Sequence, residues 1–385
     1  MTSSAISRPG QRERLSMKLP EIDWRLALVL MCIAGVGTMM LYSAAPLSWK
    51  PWAGPHLVRF GLCFMLMLIL AMIDIRVWFV LSYPLYGLAL LLLAAVPVLG
   101  HESLGAKRWL QAGPLSVQPS EIMKIGLVLA LARFYHGISA KDARLSFKLL
   151  IPVVLIAAPT LLVAKQPDLG TAILIAATGL SIMVLAGLTW RLLVLGGVAA
   201  IGGAPAFVMF VMKDYQRDRI LTFLNPEQDP SGSGYHILQA KIALGSGGLL
   251  GKGFGLGTQS QLNYLPEKHT DFIFATFAEE FGFVGCFTLL ALYGLAIAIS
   301  FRIASISHSH FGRLSAAGLT ATFALYVLIN AAMVMGLAPV VGVPMPLMSY
   351  GGTTMLTVMI GFGLIEAVRV HRYAEITSGR GSLFL

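Results

Sequence analysis

Long apolar runs separated by short polar segments dominate this sequence. Ten runs contain about 18 or more mostly apolar residues each. A helix of that length crosses the hydrocarbon core of a bilayer. They cover residues 24–43, 57–74, 77–99, 119–136, 148–164, 169–188, 190–212, 271–301, 314–338 and 350–370. Because a helix satisfies its own backbone polar groups in lipid, the pattern predicts an all-α polytopic membrane protein with ten transmembrane helices.

The composition supports a membrane class and argues against a soluble one. Hydrophobic residues make up 57% of the chain and charged residues 12%, with a mean hydropathy of +0.78, values far from those of an average soluble domain. The net charge of +10 is therefore attributed to the membrane surface, and no nucleic-acid partner is expected. The three cysteines lie inside apolar runs and show neither metal-ligand spacing nor an obvious disulfide pair.

Basic residues between the runs predict the orientation. Ten spans put both termini on one face, and the positive-inside rule assigns that face to the cytoplasm. The residues that gather there are Arg76, Lys141, Arg144, Lys148, Arg191, Arg302, Arg313, Arg369, Arg372 and Arg380, with the basic N-terminal segment. We therefore predict a cytoplasmic tail over 1–23, a single membrane domain over 24–370 and a cytoplasmic tail over 371–385. The first run is expected to be retained as a span, since no short hydrophobic core with a cleavage site precedes it.

The opposite, extracytoplasmic face is where we expect function. Its segments are 44–56, 100–118, 165–168, 339–349 and a large loop, 213–270, between spans 7 and 8. A loop of that length is usually functional or disordered. Its glycines do not make a nucleotide site, because G-x-G-x-x-G is absent and Gly251-Lys252 is followed by Gly253 where a P-loop needs Ser or Thr.

The stretch from Gln259 to Gly282 runs from a charged loop into an apolar helix and carries three acids. These are Asp271, Glu279 and Glu280. Charged groups at bilayer depth are rare and tend to face protein or water-filled cavities, which makes them candidates for function. Asp271 also suits a simpler role, as an acid in the first helical turn that satisfies free backbone N–H groups. Residue type alone does not separate the two roles.

Polar clusters elsewhere on this face add further candidates. In GAKRWL, Lys107 and Arg108 adjoin Trp109, a set that can hold an anionic head group or simply snorkel to the interface. In QPSEIMK, Glu121 and Lys124 are three apart on one helical face, so an internal ion pair is the plain interpretation. A pair inside an apolar helix also indicates a polar cavity.

Three more segments complete the set. Asp168 in KQPDLGT either caps the following span or orients a basic group across a cavity. Arg217 and Arg219 in the long loop suit bidentate contacts to phosphate. The segment PVVGVPMPLMSYGG, residues 339–352, is too rich in proline and glycine for regular helix, and such backbone at membrane depth requires protein or a cavity beside it.

Six of these motifs, in order, resemble the SEDS family (shape, elongation, division and sporulation) of polytopic peptidoglycan glycosyltransferases. They are GAKRWL, QPSEIMK, QPDLGTA, YQRDRILTFLNP, YLPEKHTDFIFATFAEEFG and PLMSYGG, and the resemblance runs from the first span to the last. Within the family the chain is more similar to the rod-shape branch, RodA, than to the division branch, FtsW. The segment VVGVPMPLMSYGG lacks the Thr-Lys that usually precedes this turn in FtsW.

The resemblance implies a bacterial plasma-membrane enzyme that polymerises lipid II into glycan strands on the outer face, for cell elongation and rod shape. It matches the family's essential acid to Asp271. The candidate substrate-binding residues are Lys107, Arg108, Trp109, Glu121, Lys124, Asp168, Arg217, Arg219, Lys268, His269 and Ser349. The expected partners are lipid II, the growing strand, membrane lipid, a class B penicillin-binding protein and other elongation-complex membrane proteins.

Lipid-linked glycosyl transfer needs a base for the attacking sugar hydroxyl and positive charge for the departing pyrophosphate. Asp271 is the predicted base, with Lys107, Arg108, Arg217 and Arg219 on the pyrophosphate side. Alternatively, Asp271 binds a divalent cation, Mg²⁺ or Mn²⁺, that bridges the pyrophosphate; no other cofactor is expected.

Three alternative functions remain at this point: a flippase of the lipid-linked precursor, an FtsW-type division polymerase and a non-catalytic scaffold for wall enzymes. A flippase needs polar groups along the full membrane depth, whereas the clusters found in the sequence gather at one face.

Overall fold

The computed structural model describes residues 18–103, 106–112, 115–138, 147–210, 217, 221–223, 225, 232–265 and 267–376. Ten helices of 16 or more residues lie within these ranges, and each overlaps one predicted run. They are α1 (Trp24–Ala44), α2 (Gly54–Met72), α3 (Ile75–Leu99), α4 (Pro119–His136), α5 (Leu150–Lys165), α6 (Leu169–Leu185), α7 (Trp190–Phe210), α10 (Ile273–Ile306), α11 (His310–Val334) and α12 (Gly352–Val370). Two shorter helices, α8 (Ser233–Ser246) and α9 (Thr258–Gln261), lie in the segment predicted as one long loop.

Within the described part of the chain, seven helices are long and apolar enough to cross a membrane. They are α1, α2 with the turn before it, α3, α5 with the turn before it, α10, α11 and α12. The helix α6 is apolar but shorter, and α4 carries three charged residues, Glu121, Lys124 and Arg133. The protein is therefore an integral membrane protein built mainly of helices.

Local sequence explains where several helices begin. Side chains at the N-cap accept a hydrogen bond from a free backbone N–H in α1, α3, α6 and α11. The capping residues are Asp23, Asp74, Asp168 and Ser309. Pro119 occupies the first turn of α4, where its missing N–H costs nothing.

The centre of the bundle is formed by α4, α11 and α12. The helix α11 packs against α4, α6, α10 and α12, while α2 covers α12 and α3 covers α4. In the apolar stretch of α12, 72% of the residues are buried, whereas in that of α5 17% are buried. The outer helices therefore present apolar side chains outward, which suits contact with lipid, and polar residues on the central helices must find partners inside the protein.

The segment between α3 and α4 contains a small antiparallel sheet. Its strands are β1 (His101–Ser103), β2 (Ala106–Ala112) and β3 (Leu115–Val117), in the order β1-β2-β3, with Leu110 opposite Val117. This sheet corrects the expectation of an all-α chain. Strand pairing satisfies backbone groups in a segment too short to span the membrane.

The proline- and glycine-rich segment before α12 is non-helical and largely buried, as predicted. Tyr293 on α10 donates a hydrogen bond to the carbonyl oxygen of Pro346 at 2.6 Å. Helix α1 approaches so closely that a Cβ on Gly37 would lie 2.6 Å from the Cα of Met348. Protein therefore surrounds this irregular backbone and holds it at one end of the bundle.

The predicted span over 271–301 falls on α10, which is long and apolar enough to cross a membrane and has a break at Gly282. This residue has φ 64° and ψ −162°, and the glycine-rich segment 247–257 fills the break. The N–H groups of Phe283 and Val284 donate to the carbonyls of Gly248 and Leu249, at 2.9 and 3.1 Å. A Cβ on Gly282 would lie 2.3 Å from a backbone nitrogen of that segment, so only glycine fits.

Candidate active site

A cavity of about 450 Å³ opens where β2, the starts of α4, α6 and α12, and the turn before α10 meet. Its polar lining consists of Arg108, Trp109, Gln118, Glu121, Lys124, Asp168, Thr171, Glu267, Thr270, Asp271, Tyr326, Tyr350, Thr353 and Thr354. Three helices begin at this end, so their first turns bring unsatisfied backbone N–H groups and polar side chains together. The volume lies within the range of small-molecule sites.

Asp271 lies on the cavity wall in the turn that precedes α10. Its backbone is held from behind, because Asn330 Nδ2 on α11 donates to the carbonyl oxygen of Asp271 at 2.9 Å and to that of Val343 at 2.7 Å. Ser349 Oγ donates to the carbonyl oxygen of Thr270 at 2.6 Å. The N-cap position of α10 belongs to Phe272 and makes no side-chain capping bond. The turn thus presents the Asp271 carboxylate to the cavity.

Glu121, Lys124 and Tyr326 form the floor of the cavity. Lys124 Nζ lies 2.7 Å from Glu121 Oε1, which confirms the predicted ion pair. The Tyr326 hydroxyl donates to Glu121 Oε2 at 2.8 Å and also contacts Lys124 Nζ. All three side chains are almost completely buried. Because each charge has a partner, the set is stable in a dry environment and places one ammonium group under the cavity.

Below this floor the space narrows and becomes apolar. A cavity of about 30 Å³ continues from Lys124 and Tyr326, with Leu319, Phe323 and Phe362 among its lining residues. The polar cavity therefore ends near the Glu121 level within the described part of the chain.

Arg108, Gln118 and Asp168 form one wall. Arg108 donates to the carbonyl oxygen of Pro167, which ties β2 to the turn before α6. Asp168 Oδ1 accepts from the N–H of Thr171 at 3.2 Å, and Asp168 Oδ2 accepts from Gln118 Nε2 at 3.4 Å. Asp168 therefore caps α6, as one of its two predicted roles requires, and also lines the cavity. That it orients a basic group across the cavity stays a prediction.

Three candidate binding residues, Lys268, His269 and Ser349, do not line the cavity. Lys268 and Ser349 instead support the turn beneath Asp271. Lys268 is buried and donates to Ser260 O at 2.6 Å and to Asn263 Oδ1 at 2.8 Å. Burial lowers the pKa of the Lys268 ammonium group. Ser349 is buried as well, with its hydroxyl committed to backbone groups on both sides.

His269 packs outward from the cavity. Its ring stacks on that of Trp52, with centroids 4.3 Å apart and planes 7° apart. Burial lowers the pKa of His269, with Glu267 acting in the opposite direction. The neutral ring is therefore the form that this packing favours.

The remaining candidates lie apart from the cavity. Lys107 is exposed on β2 and does not line it, and Arg217 is exposed and also absent from the lining. Arg219 lies outside the described residues. Among the candidate cations that the structure describes, Arg108 and Lys124 are thus the two that reach the cavity.

Several cavity residues were not predicted. Tyr326 lies within α11, and Tyr350 and Thr354 flank the start of α12, where single polar residues carry no local signature. Asn330, which supports Asp271 from α11 without lining the cavity, was not predicted either. Gln118 directly precedes Pro119 in a quoted motif, so its position at a helix start was the available signal.

No group of three or more His, Cys, Asp or Glu side chains able to hold a metal occurs among the residues that the structure describes. Mg²⁺ typically binds one or two carboxylates together with substrate phosphates. Asp271 therefore fits a metal only as a ligand shared with a bound pyrophosphate.

Comparisons with known proteins agree with this architecture. Residues 23–374 match the family model FTSW_RODA_SPOVE, described as cell cycle protein. The peptidoglycan glycosyltransferase MrdB of Escherichia coli (strain K12) is 45% identical over 351 residues, which cover 91% of this chain and 94% of the relative.

Two solved structures share the fold. One, described as "Structural coordination of polymerization and crosslinking by a peptidoglycan synthase complex", aligns with a TM-score of 0.80 and 35% identity, covering 92% of this chain and 99% of that chain. The rod shape determining protein RodA of Thermus thermophilus aligns with a TM-score of 0.69 and 32% identity, covering 92% and 98%.

Proposed function

This chain belongs to the FtsW/RodA/SpoVE family, and from that premise we propose that it is a peptidoglycan glycosyltransferase that polymerises lipid II into glycan strands. The observation that carries the proposal is the cavity at one end of the bundle, where the Asp271 carboxylate, two cations and an interfacial tryptophan converge. A membrane-embedded sugar donor with a charged pyrophosphate needs such a combination.

The proposed reaction forms one bond and breaks another. A sugar hydroxyl oxygen of one substrate attacks the anomeric carbon of the other, and the bond from that carbon to the polyprenyl pyrophosphate oxygen breaks. Asp271 accepts the hydroxyl proton, and Arg108 and Lys124 stabilise the charge that develops on the pyrophosphate. Hydrogen bonds from Asn330 and Ser349 to the carbonyl oxygens of Asp271 and Thr270 fix the backbone that carries this carboxylate. In the alternative role, Asp271 would help to hold a divalent cation, which would supply positive charge to stabilise the departing pyrophosphate.

The membrane arrangement and partners follow from the same premise. We propose ten spans, with α4, α6 and α7 added to the seven apolar ones, a cavity on the extracytoplasmic side of the bacterial plasma membrane and cytoplasmic termini. A class B penicillin-binding protein is the proposed partner, since a solved relative belongs to a complex that couples polymerization and crosslinking. A role in elongation is favoured over an FtsW-type role in division, because the MrdB relative is 45% identical whereas FtsW relatives are 34–37% identical.

The flippase alternative is disfavoured by the depth of the cavity. Transport across the bilayer needs a polar route along the whole span. Here the polar lining ends at Glu121, Lys124 and Tyr326, and the space beneath them is small and mainly apolar.

The test gives purified protein labelled lipid II in detergent, with and without a class B penicillin-binding protein, and separates glycan polymer by length. We expect polymer from the wild type and from Asp74→Asn, a matched exchange at a helix cap away from the cavity. Asp271→Asn should give little polymer. Movement of lipid II across vesicles by a wild-type preparation that makes no polymer would overturn the polymerase in favour of the flippase.

A further inference from the structure

A basic groove lies at the end of the bundle opposite the active cavity. It consists of two adjoining cavities of about 480 and 690 Å³, which share Ile306 and Arg372. Their lining contains five arginines, Arg25, Arg302, Arg313, Arg369 and Arg372. Gly351 lines the active cavity and Arg369 lines the groove, so the length of α12 separates the two sites by roughly 27 Å at 1.5 Å per residue.

Two of the arginines are already used by the fold. Arg369 Nη1 lies 2.5 Å from Asp23 Oδ2, and Arg372 pairs with Glu21. Arg369 Nε also donates to the carbonyl oxygen of Glu21 at 2.8 Å. These contacts fasten the segment before α1 to the end of α12 and use both acids that line the groove.

The other arginines leave an excess of positive charge. Arg25, Arg302 and Arg313 have no carboxylate partner among the residues that the structure describes. Arg25 and Arg302 are exposed and line the same cavity from the start of α1 and the end of α10. Three helix ends thus bring unneutralised guanidinium groups to one concave surface.

The rim of the groove has the character of a membrane interface. Trp24 is 49% exposed and Tyr373 is 69% exposed, and the apolar Ile306 lies between the two cavities. Tryptophan and tyrosine prefer the head-group level of a bilayer. A guanidinium group binds phosphate oxygens in a bidentate manner, and basic pockets between spans on the cytoplasmic side suit anionic lipid head groups.

We propose that this groove binds the phosphate of an anionic phospholipid, held between Arg25 and Arg302 with Trp24 and Tyr373 at its rim. The bound lipid bridges the start of α1 and the end of α10, next to the ion pairs that join α1 to α12. Lipid binding should therefore stabilise the bundle at the end away from the chemistry. Neither arginine lies near the active cavity, so the inference does not depend on the proposed reaction.

The experiment measures retention of labelled phosphatidylglycerol by the full chain during exchange into excess phosphatidylcholine, together with the thermal midpoint in vesicles of each lipid. The test variant is Arg25→Gln with Arg302→Gln. Its matched control is Arg76→Gln with Arg191→Gln, which removes the same charge from two other exposed arginines. At about 1 kcal/mol per basic residue at the membrane surface, the test variant should bind phosphatidylglycerol about 30-fold more weakly.

The result expected is loss of retention and of the phosphatidylglycerol-dependent rise in midpoint in the test variant, with both kept in the control. Arg25→Lys with Arg302→Lys keeps the charge but not the bidentate geometry, and should give an intermediate value even where the glutamine variant folds poorly. Equal retention by all variants would overturn the proposal. A rise in midpoint with inorganic phosphate alone in detergent, and no preference for phosphatidylglycerol, would also overturn it by assigning a free-anion site. Displacement of the lipid by an acidic peptide that binds more tightly would assign the groove to a protein partner.

Discussion

Asp271 and Glu279 lie eight residues apart in one stretch of sequence, yet the fold gives them opposite surroundings. Glu279 accepts from Lys252 Nζ at 2.7 Å, Thr258 Oγ1 at 2.9 Å and the N–H of Gln259 at 3.1 Å. Its side chain is completely buried. Through these hydrogen bonds, the Glu279 carboxylate holds the segment 252–259 against α10.

Asp271 shows the reverse arrangement. Its carbonyl oxygen is fixed by Asn330, and its neighbour Thr270 by Ser349, while the side chain lines an open cavity. The comparison contrasts an acid whose carboxylate holds a distant segment with an acid whose side chain lines the cavity while neighbouring side chains fix its backbone. It also explains why Lys268 and Ser349, with fully engaged side chains, act as supports of the turn.

Asp271→Asn should have the largest effect. Asparagine keeps the shape but cannot accept a proton, so the polymerisation rate should fall by about 10²–10⁴ with an unchanged thermal midpoint. The rate per folded molecule, measured with lipid II, checks this. Glu279→Gln is the control, and it should retain its rate per folded molecule while losing stability. Recovery of Asp271→Asn by excess Mg²⁺ or Mn²⁺ would point to a ligand role, and wild-type polymerisation by a folded preparation would remove Asp271 from the chemistry.

Glu279→Ala should have the largest effect on stability. The change leaves the N–H of Gln259 without its acceptor, while Lys252 is 28% exposed and keeps the Thr258 hydroxyl as a partner. The free energy of unfolding should therefore drop by about 3 kcal/mol, the lower end of the loss for a broken buried pair. Denaturant unfolding in detergent measures the loss. Glu267→Ala serves as the control, because Glu267 is an exposed acid in the turn that precedes α10. Similar losses of stability in the two variants would contradict the role of Glu279 as the acid that holds the segment 252–259 against α10.

The Glu121–Lys124 pair at the cavity floor is an intermediate case, because both side chains are buried in an ion pair and also line the cavity. Lys124→Met leaves Glu121 with its hydrogen bond from Tyr326, so the free energy of unfolding should fall by about 2 kcal/mol, less than for an isolated buried pair. The double variant Glu121→Leu with Lys124→Met should recover most of that loss, because neither charge is then left alone. Unfolding in detergent compares them, and additive losses would show that the two charges are solvated separately.

The smallest effect concerns His269. Burial lowers the pKa of His269 in the folded protein below its value of about 6.5 in the unfolded chain. The stability that the neutral ring contributes is therefore present above about pH 6.5 and is lost as the pH falls through the pKa of the folded state. The thermal midpoint of His269→Gln should therefore fall less steeply below about pH 6.5 than that of the wild type. His308→Gln, which removes another ring in contact with an aromatic side chain, is the control. Parallel pH curves for wild type and His269→Gln would exclude the effect.

Much of this protein was determined by local sequence. Apolar runs predicted the places of the long helices because burial in lipid requires length and apolarity, which are properties of contiguous residues. Pro119 marked the start of α4, and the three-residue spacing of Glu121 and Lys124 predicted their ion pair. Ordered motifs predicted the family that the comparison then showed.

Only the tertiary structure decided which polar groups meet. Tyr326 and Asn330 reach the site from the middle and end of α11, where their own neighbours in sequence are apolar or small. The break at Gly282 depends on a segment that lies about 30 residues earlier, since its backbone replaces helical hydrogen bonds. Local periodicity determines which residues form a helix, but long-range packing selects the partners of each carboxylate. That selection made Glu279 an anchor and left Asp271 facing the cavity.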